Sequence, residues 1–148
     1  MTMGIIVTDA GFGEDVLADR LRTLPIEALQ AADRDDLPGE FALSIANDAD
    51  ADEIAPFFAW IRLIEIAFPS FQDGRGFSLA RRLRQAGYRG KLRATGHVIA
   101  DQYAHARRVG FDEVEISGDL AARQPEEQWL ARAGWQNHFY QKRLQATA

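Results

Sequence analysis

The amino-acid sequence predicts a single α/β domain, with a mainly parallel sheet of about five strands flanked by helices, as an open sheet or a partial β/α barrel. Three observations lead there. Short apolar, β-branched runs alternate with stretches of helical periodicity along most of the chain. Glycine or proline marks many of the junctions between the two patterns. The 148 residues suffice for one hydrophobic core, and no linker, repeat or low-complexity tract divides them.

Residues 4–8 (GIIVT) are short, continuous and β-branched, as expected of a strand buried on both faces. Residues 14–24 follow, with Val16, Leu17, Leu21 and Leu24 at helical spacing. The acidic, turn-forming stretch 32–40 (ADRDDLPGE) reads as an exposed connection before a second strand at 41–45 (FALSI). Asp50 with Glu53 three residues later marks a helix start, and Pro56 keeps that helix short. Residues 62–68 (RLIEIAF) supply a third strand, closed by Pro69.

Helical spacing over 77–86 turns Ala80, Leu83 and Ala86 or Gly87 inward, with Ser78 as the expected cap and Gly87 as the terminator. A fourth strand at 91–95 (KLRAT) precedes a helix over 98–109, closed by Gly110, and a fifth strand at 113–117 (EVEIS). Pro125 stands at a first helical position ahead of Glu126 and Glu127, and that helix carries Trp129 and Leu130 as far as Gly134. Trp135, Phe139, Tyr140 and Leu144 continue at near-helical spacing, so the helical tail spans about 125–145. It either docks on the core or offers a contact surface to a partner or to a second copy in a homodimer.

Composition narrows the function classes. A net charge of −5 opposes general nucleic-acid binding, which needs a basic footprint. No cysteine is present, which excludes disulfides, thiolate nucleophiles and cysteine-ligated clusters within this chain. No basic leader precedes the first apolar run, and no stretch approaches the ~20 apolar residues of a membrane span, so a cytoplasmic protein is expected. Lys91 and Lys142 are the only lysines. The positive charge therefore comes as planar guanidinium, which suits anion recognition and also follows from genomic bias.

Ligands of parallel sheets bind beyond the carboxyl ends of strands, which singles out two loops. In the first, FPSFQDGRGFS at 68–78, Arg75 stands ahead of a helix and opposes its dipole. Asp73, another acid or a bound anion must answer it. Gly74 and Gly76 would let backbone approach a ligand, with N–H groups of the helix start as donors. The alternative is a structural turn, with Arg75 paired to Asp73 or packed on Phe71 or Phe77. The spacing fits neither the Walker loop nor GxGxxG.

In the second loop, Thr95-Gly96-His97, Arg93 shares a strand face with Lys91 and Thr95. It either shares an anion with Arg75 or pairs with Glu65 on the next strand. Asp101 and His105 stand four apart on one helical face, but His97, His105 and Asp101 lack metal-site spacing, so no metal is expected. No GxSxG elbow is present.

These blocks carry a resemblance. FPSFQDGRGFSLARRLR, then LRATGHVIADQ, then RRVGFDEVEI resemble a bacterial family known as domain of unknown function 934, with a looser lead-in at SIANDADADEIAPFFAWIRLIEIAF. The resemblance covers about 41–117. It implies genes placed beside assimilatory sulfite and sulfate reduction, and a role as an accessory or oxidoreductase-associated protein there. No flavin or nicotinamide loop accompanies it, so no cofactor is expected. Carried over by position, Asp73, Gly74, Arg75, Gly76, Phe77, Ser78, Arg93, Gly96, Asp101 and Gln102 become site candidates.

Two functions follow as expectations. One is an accessory protein that binds sulfite reductase, another sulfur-assimilation protein, or a small oxyanion at the 73–78 loop. The other is a small enzyme acting on a sulfated or phosphorylated substrate, with Arg75 and Arg93 holding the anion and Asp101 as acid/base.

Overall fold

The β-branched runs assemble into a seven-stranded sheet in the computed structural model, which describes residues 4–15, 21–31 and 37–136. The strands are β1 (Ile5–Thr8), β2 (Gly11–Gly13), β3 (Arg22–Pro25), β4 (Phe41–Ile45), β5 (Ile61–Phe68), β6 (Lys91–Gly96) and β7 (Glu113–Ile116). Their order is β2-β1-β7-β6-β5-β4-β3, and the sheet is open, with β2 and β3 as its edges. From β3 to β7 each strand pairs in parallel with the next. β1 runs antiparallel to both β7 and β2.

The helices are α1 (Ile26–Ala31), α2 (Ala51–Ile54), α3 (Arg75–Gln85), α4 (Tyr103–Val109), α5 (Gly118–Arg123) and α6 (Glu126–Leu130). Asp50 caps α2 by accepting from Asp52 N at 2.9 Å, and Pro56 opens the 3₁₀ segment Ala55–Trp60 that follows.

Three expectations change. The helical spacing read over 14–24 ends in strand β3. A four-residue edge strand buries a single side chain, Leu24, so it leaves no alternation to read; Val16 and Leu17 lie outside the described residues. The strand β2, GFG, is equally short and comes from a hairpin with β1. Finally, α3 begins at Arg75, with Gly74 as its N-cap. Ser78 is therefore an exposed first-turn residue and not a cap.

Alternation along the central strands sorts two faces. Ile64, Ile66 and Phe68 of β5, Leu92 and Ala94 of β6, and Val114 and Ile116 of β7 join one core with Leu79, Leu83, Ala106 and Phe111. Phe68 meets Phe77 and Phe111 with ring centroids 4.9 and 5.9 Å away. Such buried rings are worth about 1.5–3 kcal/mol each. Strands laid down in one direction with right-handed crossovers put the connecting helices α2, α3 and α4 on this face.

The opposite parity faces away. Ile6, Ala42 and Leu63 are buried there yet stand outside the main core, beside Glu65, Arg93 and Glu113. Beyond β7, Trp129 of α6 is buried against Tyr103 and donates its indole N–H to Gln124 O at 2.9 Å. Phe139, Tyr140 and Leu144 lie outside the described residues. No helix among the described residues is long and apolar enough to cross a membrane.

Candidate functional site

The turn after β5 is built from its own polar side chains. Ser70 Oγ accepts from Gln72 N at 3.2 Å, and Ser70 O accepts from Asp73 N at 3.0 Å. Asp73 then faces Arg75. Its Oδ1 accepts from the Arg75 backbone N–H at 3.2 Å and from Nε at 3.0 Å, and its Oδ2 accepts from Nη2 at 2.7 Å. The cation at the head of α3 is thus met by the acid two residues before it. The Arg75 side chain and its backbone N–H hold the Asp73 carboxyl well below the usual carboxylate range. The Arg75 side chain itself stays 64% exposed.

Gly76 is needed for packing: a Cβ there would stand 2.4 Å from the Phe68 ring. Phe77 is buried between Phe68 and His105. Both positions are therefore taken up by core packing.

The second loop is stitched to the first. His97 N donates to Phe68 O at 3.0 Å, and Gly96 makes this possible with φ +98 and a would-be Cβ only 2.6 Å from that same oxygen. Gln102 spans both loops, accepting from Ile99 N at 3.1 Å and donating Nε2 to Phe71 O at 2.6 Å. The Phe71 side chain is left 49% exposed at the apex.

Asp101 is exposed and ion-paired with Arg132 of the C-terminal region. His105 does not turn to Asp101 but meets the Phe77 ring edge-on at 4.6 Å. Burial pushes the His105 imidazole pKa down, and the nearby Arg81 and Arg108 push the same way.

Arg93 is 1% exposed and lies on the sheet face turned away from the helices. Its cross-strand neighbours are Glu65 and Glu113, at 2.9 and 3.1 Å, and Asp15 grips it with two bonds of 2.8 and 2.9 Å. Burial works against the guanidinium charge, and Asp15, Glu113 and Glu65 outweigh it. Burial raises the Glu65 carboxyl despite Arg93, with Glu115 and Asp15 adding to the effect. Asp15, Glu65 and Glu115 bring carboxylate oxygens within 4.8 Å of one another, a spacing suited to a cation, and Arg93 supplies that charge.

Arg75, Arg93 and Asp101 therefore occupy three separate ion-paired settings, with no partner in common among the described residues. Of the candidates, Gly96 lines a cleft of about 900 Å³ beyond the carboxyl ends of β6 and β7, with His97, Ser117, Leu120, Arg123 and Phe71 around it.

Sequence reasoning missed Phe71, Arg123, Asp15 and Asn47. Asn47, two residues after β4, is 5% exposed, and its Nδ2 has no hydrogen-bond partner among the described residues while its side chain stands by Asp73. A polar residue two positions after an apolar strand was its available signal.

Compared with known proteins, the chain matches the family described as "Bacterial protein of unknown function (DUF934)" over residues 42–148. That match runs through the tail, beyond residue 117 where the sequence resemblance ends. No curated protein and no solved structure matches the chain.

Proposed function

We propose that this chain, which belongs to the DUF934 family, is a cytoplasmic accessory protein of assimilatory sulfite and sulfate reduction. It docks on sulfite reductase, or another sulfur-assimilation protein, through the loop after β5. The pathway rests on the family resemblance. The docking rests on one observation: Phe71 is held half-exposed on a loop whose other polar contacts fix it in place. With Ile99 and Leu120 of the adjoining cleft it makes an apolar patch among polar side chains, the composition of an interface centre. The signature residues Asp73, Arg75 and Gln102 support that patch. A free oxyanion at the 73–78 loop would have to displace Asp73 from Arg75, so the oxyanion reading is subordinate here.

The test is co-purification and biolayer interferometry of the full chain with the sulfite reductase of the same organism. Phe71→Asp should lower affinity at least tenfold, while Ser78→Ala should not. Equal binding by wild type and Phe71→Asp would reject the docking surface. Calorimetry with sulfite and sulfate should give no heat that Arg75→Ala removes.

A further inference from the structure

The cleft beyond β6 and β7 is a second feature of the same rim, and we propose that it binds a small ligand joining a flat ring to one tetrahedral oxyanion, the chemistry of a nucleoside monophosphate. Its position comes first. β7 ends the parallel run, and its other neighbour, β1, begins the chain and runs antiparallel. The cleft lies outside the carboxyl ends of the parallel strands β6 and β7, where sheets of this kind take ligands. The size fits as well: about 900 Å³ is ample for a nucleotide.

The walls divide by chemistry. Phe71, Ile99 and Leu120 present apolar surface, and a half-exposed aromatic ring is a stacking platform for a planar base. Arg123 and His97 bring N–H donors to the same space. Neither side chain has a hydrogen-bonding or ion-pair partner among the described residues. A guanidinium without an acid is suited to a phosphate or sulfate ester. Asp119 and Glu115 also line the cleft, and Glu115 lies 3.7 Å from Arg93, which answers part of its charge. Their acceptors suit ribose hydroxyls and ring N–H groups better than a bare inorganic anion. Gly118 borders this open space, since a Cβ built on it would meet nothing within 4 Å.

The site shares Phe71, Ile99 and Leu120 with the proposed docking patch, so ligand and partner would compete for it, and the test leaves Phe71 unchanged so that the two readings fail separately. Titration calorimetry of the full chain should show AMP saturating at one per chain, with adenosine, inorganic phosphate and inorganic sulfate each at least tenfold weaker. Gly118→Trp, which projects a ring into open space, should abolish the AMP signal with the melting temperature unchanged. Arg123→Ala should weaken AMP at least tenfold and leave adenosine unaffected. Replacing AMP with adenosine 5′-sulfate separates the two esters: tighter binding of either assigns the class. Absence of saturable AMP and adenosine 5′-sulfate binding overturns the proposal. So does AMP affinity unchanged in Arg123→Ala, which decides the matter even if Gly118→Trp fails to fold.

Discussion

At Arg93, one guanidinium meets Asp15, Glu65, Glu113 and, more distantly, Glu115 on a face that water scarcely reaches. Removing the cation strands the acids, so Arg93→Met should cost about 3–5 kcal/mol in urea unfolding at neutral pH. Glu65→Gln should change stability by only about 1 kcal/mol, because Asp15 and Glu113 keep Arg93 paired. Its sign depends on pH. Glu65 titrates higher in the folded chain than its ordinary 4.5, so its contribution becomes unfavourable as pH rises through that window. Glu65→Gln should therefore gain on the wild type as pH rises above 4.5, and a flat difference would contradict this account. Glycines offer a parallel contrast. Gly96→Ala meets both positive φ and the Phe68 carbonyl and should cost about 2 kcal/mol or more in thermal unfolding, while Gly118→Ala should be near neutral. The Asp73–Arg75 and Arg93–Glu65 pairs were readable from sequence, since one is two residues apart and the other sits on adjacent strands. Asp15 was not, because its link to Arg93 spans 78 residues with no pattern to announce it.

Among elements, α3 and α4 show how packing turns into pH and stability behaviour. His105 of α4 lies on Phe77 of α3, and burial with Arg81 and Arg108 beside it favours the neutral imidazole. A base depressed below its ordinary 6.5 contributes fully above that pH and loses its contribution as pH falls through the folded value. The unfolding midpoint should drop on acidification below 6.5, and His105→Phe should lessen that drop. At the other end of α3, Arg84 donates to the carbonyls of Tyr88, Gly90 and Gly110 and to the Asp112 carboxylate. It joins the turns ahead of β6 and β7, and Arg84→Met should cost about 3 kcal/mol in the same unfolding assay. The helices α2, α3 and α4 and the strands β4 to β7 were legible because each is long enough to show a period or is bounded by a cap, proline or glycine. β2, β3 and α1 were not, because a three- to six-residue element at a sheet edge buries too few side chains to repeat.

For the whole molecule, the core runs from Val7 of β1 to Trp129 of α6, so both ends of the described chain contribute to it. The β1–β2 turn is tied in by Asp9, which accepts from the Tyr103 hydroxyl at 2.6 Å and pairs with Arg107 at 3.2 Å. Glu126 accepts from Phe12 N at 2.8 Å. A fragment limited to the family match, 42–148, would uncover the paired edges of β4 and β7 together. It should aggregate or show no cooperative melt in circular dichroism, whereas the full chain should melt in one transition. The candidate site was legible only as an address. The strand-to-helix loops could be placed from pattern, while a cleft is formed by residues such as Phe71 and Arg123 that meet only once the strands are ordered.

The pairing order also sets a schedule for synthesis. Strands β3 to β7 can be added in turn as the chain leaves the ribosome, each finding the neighbour made just before it. β1 cannot join them, because its place is beside β7, which emerges last. The first strand translated must wait for the final strand, and pulse-labelled hydrogen exchange should find β1 amides protected after those of β5 and β6.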